Sequence, residues 1–270
     1  LHGLRDSAWS LMPIAKILSE NHQVFIPQLR GHGDSQRFSS YSMPDFLGDL
    51  HQVIAACTEG TCALFGHSLG GHIASRYSAL FPDQVRALIL VEGLGPPGKA
   101  PQNEGDEILA YKNALVSRIL QARKQTKPIK NKKYAIERLM MNNPRMTATL
   151  ATQIAEYLTV YVQGKLRWNF DPKANGVFVG TSYQENARFW RQIKSPTCIV
   201  SGLLSYEYWD KEFASGDKYR HFKEGEMESR TREFKNAQHH WFEESGHMVH
   251  YDEPDRLAKL CNTFLEEKYE

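Results

Sequence analysis

Residues 65–72 read FGHSLGGH and set Ser68 between Gly66 and Gly70 in the spacing G-x-S-x-G. A short apolar run, CALF, precedes the serine, and small and apolar residues at helical spacing follow it. If Phe65 ends a strand and Leu69 opens a helix, Ser68 occupies a very tight turn. Such a turn has no room for side chains at 66 and 70 and lifts the hydroxyl clear of the backbone. The free amides at the start of that helix aim at the same point and can hold an oxyanion. Alone, the pattern is a Gly/Ser turn that chance often supplies. A serine hydroxyl also needs a base. Near the other end of the chain, HHWFEESGHMVHYDEP (239–254) presents His247 on a Ser-Gly-His bend, between a strand-like run and an acidic helix start. His239, His240 and His250 compete with it. A metal site made from His247, His250 and Asp252 lacks any H-E-x-x-H-type pairing, so no metal is expected.

The elements that must carry these residues are legible in the apolar pattern. QVFIP (23–27), TCALFG (61–66), ALILVE (87–92) and TCIVSG (197–202) are continuous rather than alternating apolar runs, as expected of strands covered on both faces. Helical patterns lie between them: SAWSLMPIAKILSE (7–20), PDFLGDLHQVIAAC (44–57), GGHIASRYSALF (70–81) and DEPDRLAKLCNTFLEEK (252–268). Alternating strands and helices predict an α/β fold with a mostly parallel central sheet flanked by helices. Residues 98–190 break the rhythm with helix-like segments and no convincing strand. They are expected to form a helical lid inserted between two halves of the core, 1–97 and 191–270. The basic run KQTKPIKNKK (124–133) reads as a solvated loop. With 270 residues and a net charge of +2, nothing global points to nucleic acid or an anionic membrane. No apolar run is long enough to span a bilayer. Cys57, Cys62, Cys198 and Cys261 have no C-x-x-C spacing, so the chain is expected in a reducing cytoplasm, with neither a disulfide framework nor a zinc site.

LHG (1–3), PQLRGHGDS (27–35), GHSLGG (66–71) and SGH (245–247) together resemble the α/β-hydrolase superfamily over nearly the whole length. The resemblance implies the α/β-hydrolase fold, with oxyanion donors at the backbone amides of Leu4 and Leu69. It also implies that Arg30 to Ser35 shape the turn after a neighbouring strand, with Gln28 where an Asp is usual. Many members carry the triad acid three residues after the Gly that ends the penultimate strand, but here Ser205 fills that position and cannot hold a charge. Glu92 is the preferred substitute. It follows the strand next to the nucleophile's helix, as the acid does in haloalkane dehalogenases. Its Glu-Gly-Leu-Gly-Pro-Pro setting and RWNFDP (167–172) resemble the serine-hydrolase-like (kraken-type) subgroup. Glu207, two residues past the vacated position, is the rival. Members also have strands ahead of the His-Gly loop, so residues upstream of Leu1 are expected.

Ser68 in place of a carboxylate excludes alkyl-ester chemistry of the dehalogenase kind and favours acyl transfer. The expected activity is hydrolysis of a small-molecule carboxylic ester by Ser68, His247 and Glu92 without a cofactor. Trp168, Phe170 and Phe189 are candidate pocket liners. A thioesterase, lactonase, amidase, carbon–carbon bond hydrolase or perhydrolase would share the triad, as would a small-ligand receptor built on an intact hydrolase.

Overall fold

The computed structural model describes residues 1–97, 104–123, 127–178, 181–212 and 221–267. Among the described residues there are six strands: β1 (Cys62–His67), β2 (Val85–Val91), β3 (Thr159–Val162), β4 (Lys165–Trp168), β5 (Thr197–Gly202) and β6 (Ala237–Phe242). Four of them form a parallel sheet in the order β1-β2-β5-β6. β2 is buried at every residue except Arg86. Leu88 and Leu90 enter one apolar cluster, while Ala87, Ile89 and Val91 enter another on the opposite face. A strand covered on both sides needs apolar residues at consecutive positions, and this accounts for the unbroken run.

Helices supply the two covers. α1 (Met12–Leu18) lies on one face with the C-terminal helix; α2 (Met43–Cys57) and α3 (Leu69–Leu80) lie on the other. α2 starts where the sequence signals it, with Pro44 in the first turn and the Asp45 carboxylate accepting the Ser42 N–H at 2.8 Å. Beyond β2 come α4 (Glu104–Ala122), α5 (Lys132–Asn142), α6 (Ala148–Leu158) and, past the hairpin, α7 (Tyr183–Trp190). α8 (Tyr206–Glu212) and α9 (Glu226–Thr231) separate β5 from β6, and α10 (Val249–Asp252) leads into α11 (Pro254–Glu266). α11 buries Leu257, Ala258, Cys261, Phe264 and Leu265, one stripe at helical period. No described helix is long and apolar enough to cross a membrane.

Two expectations are corrected. First, residues 98–190 do contain strands: β3 and β4 pair antiparallel around Gln163 and Gly164, whose φ values of 50° and 72° suit a two-residue hairpin turn. TVYV and KLRW flanking Gln-Gly were the available signal. The hairpin, α5 and α6 share a separate apolar cluster that includes Ile129, Leu139, Ile154, Leu158 and Leu166. Residues 98–103, where that segment was expected to begin, and the first three residues of the basic run lie outside the described residues; Lys132 of that run pairs with Glu156. Second, residues 23–27 form no strand. A strand exists through a ladder partner within about 5 Å, and no described residue pairs with this run. Leu1 takes the ladder position next to β1: its N–H donates to the Phe65 carbonyl at 2.6 Å, and its own carbonyl accepts the His67 N–H at 3.0 Å.

Candidate active site

Ser68 joins β1 to α3 with φ 50° and ψ −114°, a left-handed backbone that a non-glycine residue holds only under constraint. The constraint is crowding. A Cβ on Gly66 would lie 2.3 Å from the Gly70 carbonyl oxygen, and one on Gly70 would lie 2.3 Å from the Leu1 carbonyl oxygen. The Ser68 N–H donates to the Val91 carbonyl at 2.9 Å, which anchors the turn to β2.

The His247 loop lies across the carboxyl ends of β2 and β5. His247 Nε2 is 3.2 Å from Ser68 Oγ, and His247 Nδ1 is 2.9 Å from Glu92 Oε2. With Nδ1–H donating to the carboxylate, Nε2 carries the lone pair and faces the hydroxyl proton. The side chains of His247 and Glu92 are each 3% exposed, so little water screens the pair. Glu92 has a left-handed φ of 52°, and its other oxygen accepts the Gly202 N–H at 2.7 Å. Arg230 fixes the following loop by donating to the carbonyls of Leu94, Gly95 and Pro96. Glu207 is turned elsewhere: its carboxylate receives Arg145 Nη2 at 2.8 Å and Nη1 at 3.3 Å. Arg145 also donates to Asp252, whose Oδ2 accepts the Gly246 N–H, so it ties α10 and the His247 loop to the segment between α5 and α6.

Two neutral histidines hold the loop that carries Leu4. His2 Nδ1–H donates to the Gly3 carbonyl at 2.8 Å while its Nε2 accepts the Leu29 N–H at 3.0 Å. His32 Nε2 accepts the Arg5 N–H at 3.0 Å, and its Nδ1–H donates to the Arg30 carbonyl. Burial pushes His2 down to about 3 and lowers His32, keeping both unprotonated as these bonds require. Gly3 lies against Ser68: a Cβ there would come within 3.4 Å of the serine Cβ. Leu69, fully buried, opens α3, where no intrahelical acceptor exists for its N–H. The amides of Leu4 and Leu69 thus belong to the two segments that meet at Ser68.

Asp6, His67 and His250 form a buried group whose potential ligand atoms lie within 4.8 Å of one another. Three of its six side-chain polar atoms, both Asp6 oxygens and His67 Nε2, are engaged by hydrogen bonds. Asp6 accepts from Tyr251 Oη at 2.9 Å and Ser10 Oγ at 2.8 Å, and His67 Nε2 donates to the His247 carbonyl at 2.9 Å. Burial holds His67 well below the usual histidine range, so it reads as a neutral strut for the His247 loop.

The pocket candidates diverge. Trp168 packs in the hairpin cluster with Met248, the neighbour of His247. Phe170 bridges to His32. Phe189 faces Arg76 at 5.2 Å and a groove with Ala79 and Leu80 at the far end of α3, about 15 Å of helix from the serine, so it does not line the Ser68 site. The residues found against His247 are instead Tyr208, stacked at 4.1 Å, and Trp209, edge-on at 5.1 Å. Neither carries a short-range signal, because each meets its partner across a long stretch of chain.

A family model described as the alpha/beta hydrolase family matches residues 1–260. Human serine hydrolase-like protein 2 is 25% identical over 98% of this chain and 85% of its own length. Esterase YbfF of Escherichia coli is 24% identical over 98% of this chain and 91% of its own. Among solved structures, a thioesterase domain from the curacin biosynthetic pathway superposes with a TM-score of 0.78 at 22% identity, covering 97% of this chain and 89% of that one. A parallel sheet with helices on both faces, a serine at its tight turn and a family match over nearly the full length agree: the chain belongs to the α/β-hydrolase family.

Proposed function

We propose that this protein is a serine hydrolase that cleaves carboxylic esters through an acyl-enzyme. Relatives named as esterases support the ester class. The observation that carries the mechanism is the relay of two hydrogen bonds from Ser68 Oγ through His247 to a buried Glu92. His247 Nε2 takes the Ser68 proton as Oγ attacks the acyl carbon. The amides of Leu4 and Leu69 hold the resulting oxyanion; a donor of this kind is worth about 3 kcal/mol in the transition state. The tetrahedral intermediate collapses, the carbon–oxygen bond to the alcohol breaks, and His247 returns its proton to that oxygen. Water then attacks the acyl-enzyme with His247 as base, releasing the acid and restoring Ser68. Glu92 keeps the imidazole in the correct tautomer and offsets its charge. The segment from α4 through α7 serves as a cap, docked through Arg145 on one side and the His32–Phe170 bridge on the other.

The test is a panel of p-nitrophenyl esters of varied acyl length. Many product molecules per chain are expected, with turnover abolished in Ser68→Ala. Release that stops near one product per chain, or a Ser68→Ala variant as active as the wild type, would overturn the reading.

A further inference from the structure

The protonated form of His247 must be stabilised where water barely reaches it. Glu92 supplies an anion at the ring edge through Nδ1, and Ser68 or the departing alcohol faces Nε2. These contacts lie in the ring plane and leave its faces. Tyr208 covers one face, with centroids 4.1 Å apart and planes 15° from parallel. Trp209 stands edge-on to His247 at 5.1 Å and edge-on to Tyr208 at 4.9 Å.

The stack is built into the chain. Leu204 N–H donates to the Ser245 carbonyl at 2.9 Å, which ties the loop after β5 to the loop carrying His247. Tyr208 N–H donates to the Ser205 carbonyl, and Arg5 Nη2 donates to Tyr208 Oη at 3.3 Å while pairing with Glu212 at 2.7 Å. Tyr208 is therefore held by its own helix, by the His247 loop and by the segment that carries Leu4. Burial raises its phenol, so it stays neutral in the working range.

We propose that Tyr208 is a positioning residue for the reaction: its aromatic face fixes the His247 ring and stabilises the imidazolium formed as Ser68 gives up its proton. This rests on the hydrolase reading above. An aromatic face attracts a cation more strongly than a neutral ring, so the contact strengthens on the way to the transition state. The other charged or titratable groups near His247 do not supply this. His67, 5.1 Å away, is neutral through burial, and His250 lies behind it. Asp6 is engaged by Tyr251 and Ser10. Arg145 is matched by Glu207 and Asp252, and Arg5 by Glu212.

Tyr208→Phe keeps the ring and loses the Arg5 bond; Tyr208→Leu loses the ring. Two readouts separate them: the acid limb of the kcat/KM profile, and the titration of His247 by NMR of histidine-labelled protein, assigned with His247→Gln. In Tyr208→Leu, His247 is expected to protonate about half a pH unit lower, with kcat down about three- to tenfold, the scale of a cation–π contact. In Tyr208→Phe the titration stays where the wild type has it. An unmoved or raised titration in Tyr208→Leu, or a Phe variant that shifts as far as the Leu variant, overturns the proposal. If Tyr208→Leu fails to fold, the wild-type spectrum decides: stacking requires a ring-current upfield shift of the His247 Cε1–H, and its absence is equally fatal. A wild type without turnover would sink the hydrolase reading, while the NMR titration would still judge the stack.

Discussion

Replacing Glu92 by Gln is nearly isosteric, yet the site is arranged to punish it. One carboxylate oxygen accepts the Gly202 N–H at 2.7 Å and the other faces His247 Nδ1 at 2.9 Å. A carboxylate accepts at both; a Gln amide cannot. If its oxygen keeps Gly202, its NH₂ meets His247 Nδ1, and the imidazole must move its proton to Nε2, where it can no longer accept from Ser68. If its oxygen keeps His247, a buried amide N–H loses its acceptor. Either arrangement also removes the anion that opposes the imidazolium. Two unit charges about 4 Å apart at an effective dielectric near 20 interact by about 4 kcal/mol, or about 10³-fold in rate. With the tautomer fault added, a loss of about 10⁴ is expected, the scale seen when the Asp of a serine-protease triad becomes Asn. Steady-state hydrolysis of a p-nitrophenyl ester measures it, with circular dichroism to verify folding. Glu207→Gln is the control: it loses only its bonds to Arg145 and should fall less than about tenfold. A Glu92→Gln enzyme within about tenfold of wild type, beside a Glu207→Gln enzyme that is nearly dead, would refute the assignment.

Two further outcomes concern stability. Burial lowers His2 and His72 from 6.5 to about 3, so the unfolded chain takes up protons first as pH falls, and stability is full above about 6.5 and declines down to about 3. At pH 5 each contributes a loss of about 2 kcal/mol, roughly 4 kcal/mol together. Urea midpoints at pH 8 and pH 5 measure this, and a flat profile would contradict it. Gly66→Ala drives a methyl group to 2.3 Å from the Gly70 carbonyl oxygen and should cost about 1–3 kcal/mol along with activity. Gly48→Ala, within α2 and with open space around it, should stabilise by about 0.5–1 kcal/mol. Thermal melts of the two variants moving in the same direction would contradict the crowding account.

The parts of this protein that its sequence determined are those ruled by short-range sterics and period. Continuous apolar runs mark β1, β2 and β5 because a doubly covered strand buries consecutive residues. Gly66 and Gly70 mark the turn at Ser68 because backbone occupies the space of their missing side chains. The α11 pattern follows the helical repeat for the same kind of local reason. What only the tertiary structure decided depends on pairs brought together across the chain. Residues 23–27 look like a strand, but strandhood requires a neighbour, and no described residue pairs with them. Glu92 and Glu207 are equivalent charges on paper; folding sets one against His247 and the other against Arg145. Tyr208 is one aromatic residue among many until the fold lays it on the His247 ring. A local pattern constrains where the backbone can go, but a side chain's partner is set by packing over distances that no pattern of neighbouring residues encodes.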